Sequence, residues 1–248
     1  MTRPDMTAGR VPLAGEIECA QRELATAGVG SARADAEWLA AWVLDVPRGR
    51  LITTDDIDAD ALVRYRDAVA QRAHRIPLQH IVGQASFGPV DLAVGPGVFI
   101  PRPETEMLLE WSVARLREAV GRTVVDLCSG SGALAIAIAT MVPDARVTAV
   151  ESSDEALPWL RRNVAEQPAA VAERITVVAA DVTDATAMSA WFPTGSVDLV
   201  VSNPPYVPTA SPVDEEVRHD PPSAVFGGAN GMSVITPMVD AIATMLRP

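Results

Sequence analysis

Four consecutive residues, Asn203-Pro204-Pro205-Tyr206, carry the most specific chemistry in the sequence. Two prolines fix the backbone and remove two amide donors, so the loop is rigid and its carbonyls have no local partners. The Asn203 side-chain oxygen and the Pro204 carbonyl are both hydrogen-bond acceptors. An amide or exocyclic amino nitrogen is a poor nucleophile because its lone pair is delocalised. Two acceptors that take its two N–H bonds orient the nitrogen, favour a pyramidal geometry and free the lone pair toward an electrophile such as a sulfonium methyl. Catalysis is then mainly positioning and electrostatics. Tyr206 adds a flat face on which a planar group can stack. Alone, the same residues also read as a proline-rich turn with Asn as a turn residue.

Three upstream segments bear on that choice. Asp126-Leu127-Cys128-Ser129-Gly130-Ser131-Gly132 ends an apolar run and is followed at once by a helical pattern. Its glycines let backbone approach a ligand closely, and the amides of the following helix can face a polar or anionic group. Val150-Glu151 ends a second apolar run about twenty residues further on, where a carboxylate can accept both hydroxyls of a ribose. Ala179-Ala180-Asp181-Val182 ends a third, where Asp181 can meet an adenine amino group. A glycine turn or a single acid is weak evidence, since both are common as tight turns and exposed caps. Three ligands at three successive strand ends are a site. A dinucleotide-dependent dehydrogenase uses the same turn and acid but leaves Asn203–Tyr206 without a purpose.

The elements that must hold these residues follow from the periodicity. Residues from Leu13 to Arg75 are helical in pattern: Ile17, Ala20, Leu24 and Ala27 repeat at helical spacing and Gly28 ends that run. A second run, Ala34 to Leu44, puts Trp38, Leu39, Trp42 and Val43 on one side, and Leu62, Tyr65 and Val69 mark a third. All are expected to be core. Residues 78–100 have the punctuation of short strands in a hairpin, between Gly83, Gly88-Pro89 and Gly95-Pro96-Gly97. From Glu104 onward, helix and strand alternate. Helices are expected over Met107–Val120, Ala133–Met141, Ser152–Val164 and Val234–Leu246, with Ser152 and Glu155 spaced as a capping box. Strands are expected over Thr123–Leu127, Arg146–Val150, Ile175–Ala179 and Val197–Val201. The expected fold is therefore α/β: a Rossmann-like parallel sheet with helices on both faces and ligands at the carboxyl ends of its strands. The domain plan is a helical domain over 1–76, a hairpin linker over 77–100 and a sheet domain over 101–248.

Composition narrows the setting. The chain has 248 residues, is 48% hydrophobic and carries a formal charge of −12, with a pI near 4.6. Every cationic side chain apart from three histidines is arginine. Such a balance counts against a protein that grips a nucleic-acid backbone, for which phosphate neutralisation supplies much of the affinity. Two cysteines, Cys19 and Cys128, make no disulfide framework. With no apolar stretch suited to a membrane span and no signal-peptide pattern, a reduced cytoplasmic location is expected. No metal is called for.

The order Asp-Leu-x-x-Gly-Ser-Gly, Glu151, Asn-Pro-Pro-Tyr resembles class I S-adenosylmethionine methyltransferases that act on nitrogen. Phe99-Ile100-Pro101-Arg102-Pro103-Glu104-Thr105-Glu106, and Ala224-Val225-Phe226-Gly227-Gly228 with Gly231, are similar to signatures of the release factor glutamine methyltransferases, the PrmC/HemK family. The likeness covers nearly the whole chain. It implies methyl transfer from S-adenosylmethionine to the side-chain amide of the Gln in a Gly-Gly-Gln loop, with class I peptide chain release factors as partners and a monomeric enzyme. By position it implies that Cys128, Ser129, Gly130, Ser131, Gly132, Glu151, Asp181, Val182 and Asn203 contact the methyl donor. Pro101, Glu104 and Thr105 would wall its site, and Asn203, Pro204, Pro205 and Tyr206 would hold the glutamine. The helical domain would help dock the release factor.

The sequence also departs from that pattern. Cys128 stands at the usual first glycine of the loop, and His80 where the family more often has Tyr. The chain stops at Pro248, where the family continues into a glycine turn and further strands, so the expectation is either a fragment or a sheet shorter than usual. The rival readings are an adenine-N6 DNA methyltransferase, for which an exocyclic amino group poses the same problem, and a truncated methyltransferase-like chain that binds without turnover.

Overall fold

A computed structural model describes residues 10–248; the first nine residues of the expected helical domain lie outside that range. The chain divides into two compact units, one ending at Val82 and the other starting at Gly83.

In the first unit a two-residue strand β1 (Val11–Pro12) leads into helices α1 (Leu13–Thr26) and α2 (Ala32–Leu44). A 3₁₀ turn over Arg48–Thr53 and strand β2 (Asp56–Ile57), antiparallel to β1, lead to α3 (Ala59–Ala73) and a short α4 (Leu78–Val82). Gly28, at φ +76°, turns the chain out of α1, and the Asp58 carboxylate caps α3 by accepting the Ala61 amide at 2.9 Å. Leu13, Ile17, Leu24, Leu39, Ile57, Tyr65 and Val69 form the core. The buried Tyr65 hydroxyl donates to the Ala36 carbonyl at 3.1 Å. Trp38 and Trp42 are not core: they are 50% and 46% exposed. Ala36, Leu39 and Ala40 supply the buried face of α2, which leaves the Trp pair, four residues apart, on its outer side. There the Arg48 guanidinium lies 5.7 Å from the Trp38 ring centre.

The second unit opens with an antiparallel hairpin, β3 (Gln84–Phe87) and β4 (Val90–Ala93), turned at Gly88-Pro89. It differs from the expected linker over 77–100. Residues 78–82 are helical and belong to the first unit, while the hairpin is fastened into the second by one buried side chain. Asn163 accepts the Ala93 amide at 2.8 Å and donates to the Ala93 and Ser131 carbonyls at 3.0 and 2.8 Å. Phe87, Val90 and Leu92 then join the larger core.

Helix α5 (Glu106–Glu118) precedes the alternating segment: β5 (Thr123–Leu127), α6 (Ala133–Met141), β6 (Arg146–Glu151), α7 (Ala156–Ala165), α8 (Ala169–Ala172), β7 (Ile175–Ala179), α9 (Ala185–Trp191), β8 (Leu199–Ser202), α10 (Pro222–Val225) and α11 (Ile235–Met245). The four sheet strands are parallel in the order β7-β6-β5-β8. Alternate residues divide between the two faces. Val124, Val147, Ala149, Leu199 and Val201 pack with α5, α6 and α7, while Val125, Leu127, Val150 and Val178 pack with α9 and α11. Helix α6 is apolar all round because it is buried all round. β8 begins two residues later than its apolar run. Val197 instead bridges Leu246, and Asp198 uses its backbone amide on the Thr123 carbonyl and its carboxylate on the Thr123 amide. The strand order reverses between β5 and β8, which places the switch-point crevice above those two strands.

Candidate active site

A chamber of about 420 Å³ opens at the carboxyl ends of the strands. Every loop that leaves a strand lines it: Cys128, Ser129, Gly130 and Ser131 after β5, Glu151, Ser152 and Ser153 at β6, Asp181, Val182 and Thr183 after β7, and Asn203 and Pro205 after β8. Phe99, Pro101 and Thr105 close one side.

The glycine loop needs its glycines for two different reasons. Cys128, Gly130 and Gly132 all take positive φ, at 60°, 55° and 88°. Gly130 faces open space, so ligand approach is free there. Gly132 does not line the chamber. A Cβ there would sit 2.6 Å from a Leu160 methyl, so its lack of a side chain serves close packing of the loop on α7. Cys128 holds a conformation that side chains disfavour by roughly 1–2 kcal/mol. Burial, reinforced by the charges of Glu151 and Asp126, pushes its thiol up to about 12. The thiol is therefore a neutral part of the wall and no nucleophile.

Glu151 is buried and heavily used. Its Oε2 accepts the Gly130 amide at 2.8 Å, and its Oε1 accepts the amides of Ser152 and Ser153, each at 2.8 Å. One lone-pair direction on Oε2 remains for a ligand hydroxyl. The expected Ser152–Glu155 capping box is absent. The Ser153 hydroxyl accepts the Ala156 amide at 3.2 Å instead, because Glu151 already holds the amides at that helix start.

Asp126 is the site residue that sequence reasoning passed over. It is fully buried at the end of β5 and lines the chamber; its Oδ2 accepts the Ala135 amide at 3.2 Å and Oδ1 has no partner. Burial, and then the charge of Glu151, raises its carboxyl to about 7. Its signal in the sequence was an acid inside an otherwise apolar strand.

The Asn203–Tyr206 loop is fixed from both ends. At its start the Ser202 hydroxyl donates to the Leu127 carbonyl at 2.7 Å, and the Asn203 Nδ2 donates to the Thr105 hydroxyl at 3.3 Å. At its end the Val207 amide donates to Val225 and the Gly227 amide to Val207. The glycines of the 224–231 segment press directly on this backbone. A Cβ on Gly227 would lie 2.6 Å from the Pro205 carbonyl oxygen, and one on Gly231 would lie 2.2 Å from that of Tyr206. Tyr206 itself is 61% exposed, outside the chamber, and lines a second cavity of about 470 Å³ with Pro204, Arg102, Val213 and Val217. Phe99, Asn203 and Ala224 line both cavities.

Glu104 is exposed and lines neither cavity. It occupies the 3₁₀ turn Pro103–Thr105, whose successive side chains point about 120° apart, so Thr105 faces inward and Glu104 does not. Arg102, before that turn, pairs with the buried Asp220 and stacks 4.8 Å above the Phe99 ring centre. Asp220 also accepts the Ile100 amide at 3.2 Å, and burial holds its carboxyl above the usual range despite Arg102.

A parallel sheet wound on both faces, with a chamber beyond its strand ends and an Asn-Pro-Pro-Tyr loop on the rim, is the architecture of a class I methyltransferase. Comparison with known proteins is in keeping with this. The PrmC N-terminal domain family matches residues 17–83 and the methyltransferase small domain family matches residues 91–219. The release factor glutamine methyltransferase of Mycolicibacterium smegmatis is 54% identical over 234 residues, covering 93% of this chain and 79% of that protein. That of Streptomyces coelicolor is 46% identical over 243 residues, covering 95% and 82%. Among solved structures, the glycopeptide N-methyltransferase MtfA aligns with a TM-score of 0.36 and 22% identity over 59% of this chain and 57% of its own. The chain belongs to the release factor glutamine methyltransferase family. No helix among the described residues is long and apolar enough to cross a membrane.

Proposed function

We propose that this chain transfers a methyl group from S-adenosylmethionine to the side-chain amide nitrogen of the Gln in the Gly-Gly-Gln loop of a class I peptide chain release factor. The observation that carries this reading is the wall of Phe99, Asn203 and Ala224 shared by two cavities. A donor in one and a glutamine in the other would meet at Asn203. Family membership supports the choice of acceptor.

The chamber suits this donor. Asp126, Glu151 and Asp181 line it without any basic side chain, which favours a ligand with ammonium and sulfonium charges. Asp126 offers a buried, unpartnered oxygen there. Glu151 has one acceptor direction left for a ribose hydroxyl, and Asp181 keeps one oxygen clear of the Thr183 amide and hydroxyl, which its Oδ1 accepts at 2.8 and 2.7 Å. When bound, the donor supplies an electrophilic methyl and leaves as the neutral thioether.

The remaining work belongs to the chain. Asn203 Oδ1 and the Pro204 carbonyl take the two N–H bonds of the glutamine amide and turn its lone pair toward the chamber. Pro204 and Pro205 keep that grip from relaxing. Tyr206, on the rim of the second cavity, covers the planar amide. The amide proton lost on methylation leaves toward solvent through the second cavity.

The test is transfer of tritiated methyl by the full chain to a release factor, to the same factor with its Gly-Gly-Gln Gln replaced by Ala, and to an adenine-containing oligonucleotide. Label only in the first is the expected result. Label in the oligonucleotide would move the reading to a DNA methyltransferase. Binding of the donor with no label anywhere would leave a non-catalytic binding protein.

A further inference from the structure

We infer that Thr105 is a positioning residue that holds the Asn203 amide in place while leaving its oxygen free for the acceptor. The inference rests on the proposed methyl transfer. A carboxamide grips an N–H only through its oxygen; turned over, it presents two N–H donors to the donors of the glutamine amide, and the contact becomes repulsive. Asn203 stands the productive way round. Its Nδ2 donates to the Thr105 hydroxyl at 3.3 Å, and its Oδ1 takes no partner among the described residues. The bond therefore occupies the wrong end of the amide and leaves the right end open.

Thr105 ends the 3₁₀ turn Pro103–Thr105, which runs directly into α5, so its hydroxyl makes no cap bond and is available to Asn203. Its backbone is helical instead of extended, at φ −72° and ψ −16°. That turns the hydroxyl toward Asn203, ninety-eight residues away in sequence.

The segment carrying Thr105 is itself pinned. Asp220, 2% exposed, accepts the Ile100 amide and pairs with Arg102, whose guanidinium also stacks on Phe99. The Thr105 amide in turn donates to the Arg102 carbonyl at 3.0 Å. A chain of contacts thus runs from a buried carboxylate through Arg102 and Thr105 to the amide that would hold the substrate.

The decisive comparison is Thr105→Val, which keeps the shape and removes the hydroxyl, against Thr105→Ser, which restores it. With donor and release factor both saturating, Thr105→Val is expected to slow methyl transfer about 10- to 100-fold, as loss of one orienting contact does. S-adenosylmethionine affinity by calorimetry should stay within about threefold, since the hydroxyl is assigned no donor contact. Thr105→Ser should recover most of the rate, and Thr105→Val should add nothing further in an Asn203→Ala background. Weakened donor binding with an unchanged saturated rate would make Thr105 mere chamber wall and overturn the inference. If the wild-type chain methylates no release factor, the functional reading fails, and the hold of Thr105 on Asn203 is judged by NMR. The Asn203 side-chain NH₂, assigned by its loss in Asn203→Asp, should exchange with solvent at least about tenfold faster in Thr105→Val than in wild type or Thr105→Ser. Equal exchange in all three would overturn the role of Thr105 whatever the substrate.

Discussion

Replacing Glu151 with Gln tests whether one carboxylate both builds the glycine loop and reads the ligand. The native side chain accepts three backbone amides, from Gly130, Ser152 and Ser153, all at 2.8 Å, in a position 8% exposed. Gln keeps the length but has one acceptor oxygen. If that oxygen serves Ser152 and Ser153, the NH₂ group meets the Gly130 N–H donor to donor. Loss of one hydrogen bond to a charged acceptor costs about 1.5–3 kcal/mol where water cannot replace it. The two that remain weaken because their acceptor is now neutral. The ligand-free protein should therefore lose about 2–4 kcal/mol, a large fraction of the 5–15 kcal/mol typical of a folded protein. With a urea dependence of about 2–3 kcal/mol per molar, the unfolding midpoint should fall by about 1 M. S-adenosylmethionine affinity should fall separately by about 10- to 100-fold through the lost ribose contact. Urea titration without ligand and calorimetry in its absence of denaturant distinguish the two effects. Ligand-free stability within about 0.5 kcal/mol of wild type would refute the structural half of the reasoning, because three amides cannot lose such an acceptor unnoticed.

Two shorter predictions come from the neighbouring residues. A buried carboxyl raised to about 7 binds its proton more tightly in the folded than in the unfolded chain, so its contribution to stability is complete below about pH 4 and is lost as pH rises toward 7. Asp126→Asn should flatten that part of the stability profile, and in wild type S-adenosylmethionine binding should tighten over the same range as the carboxylate forms; parallel profiles for the two proteins would count against it. At Cys128, φ +60° suits glycine and tolerates cysteine, so Cys128→Gly should shift stability by no more than about 1 kcal/mol, while β-branched Cys128→Val should cost at least about 2 kcal/mol by denaturant titration. Equal stability of the Gly and Val variants would mean the loop does not hold that backbone angle.

Much of this architecture was legible because it rests on period and punctuation. Thr123–Leu127, Ala133–Met141 and Ile175–Ala179 are bounded in the structure as their apolar patterns are in the sequence, and the ends of those runs lead into the chamber. What escaped depended on contacts between distant segments. Asn203 is bonded by Thr105, the hairpin is held by Asn163, and the 100–105 segment by Asp220, each a polar residue that looks unremarkable in its own local sequence. The Trp pair of α2 misled for a related reason. Two large apolar residues four apart define a stripe, but small residues already filled the buried side of that helix, and the stripe faces out. Gly132 shows the converse, a motif glycine whose purpose is packing on Leu160 instead of room for a ligand.

The charge balance bears differently on function once the chamber is known. From the sequence, a net charge of −12 only weighed against a nucleic-acid partner. In the structure, three acids, Asp126, Glu151 and Asp181, gather around one cavity that has no basic side chain in its wall, and the charge of Glu151 adds to the cost of ionising Asp126. A dinucleotide would bring a pyrophosphate into that field, and only the amides at the start of α6 would oppose the repulsion; a helix terminus contributes about half a unit charge and cannot offset three carboxylates. A ligand with two cationic centres and a single carboxylate meets the same field with the opposite sign. The glycine turn and ribose acid are common to both kinds of nucleotide site, so they could not separate dehydrogenase from methyltransferase. The unpartnered oxygen of Asp126 does, because a buried carboxylate beside an anionic cofactor would be doubly unfavourable, whereas beside a cation it is an acceptor with no other partner.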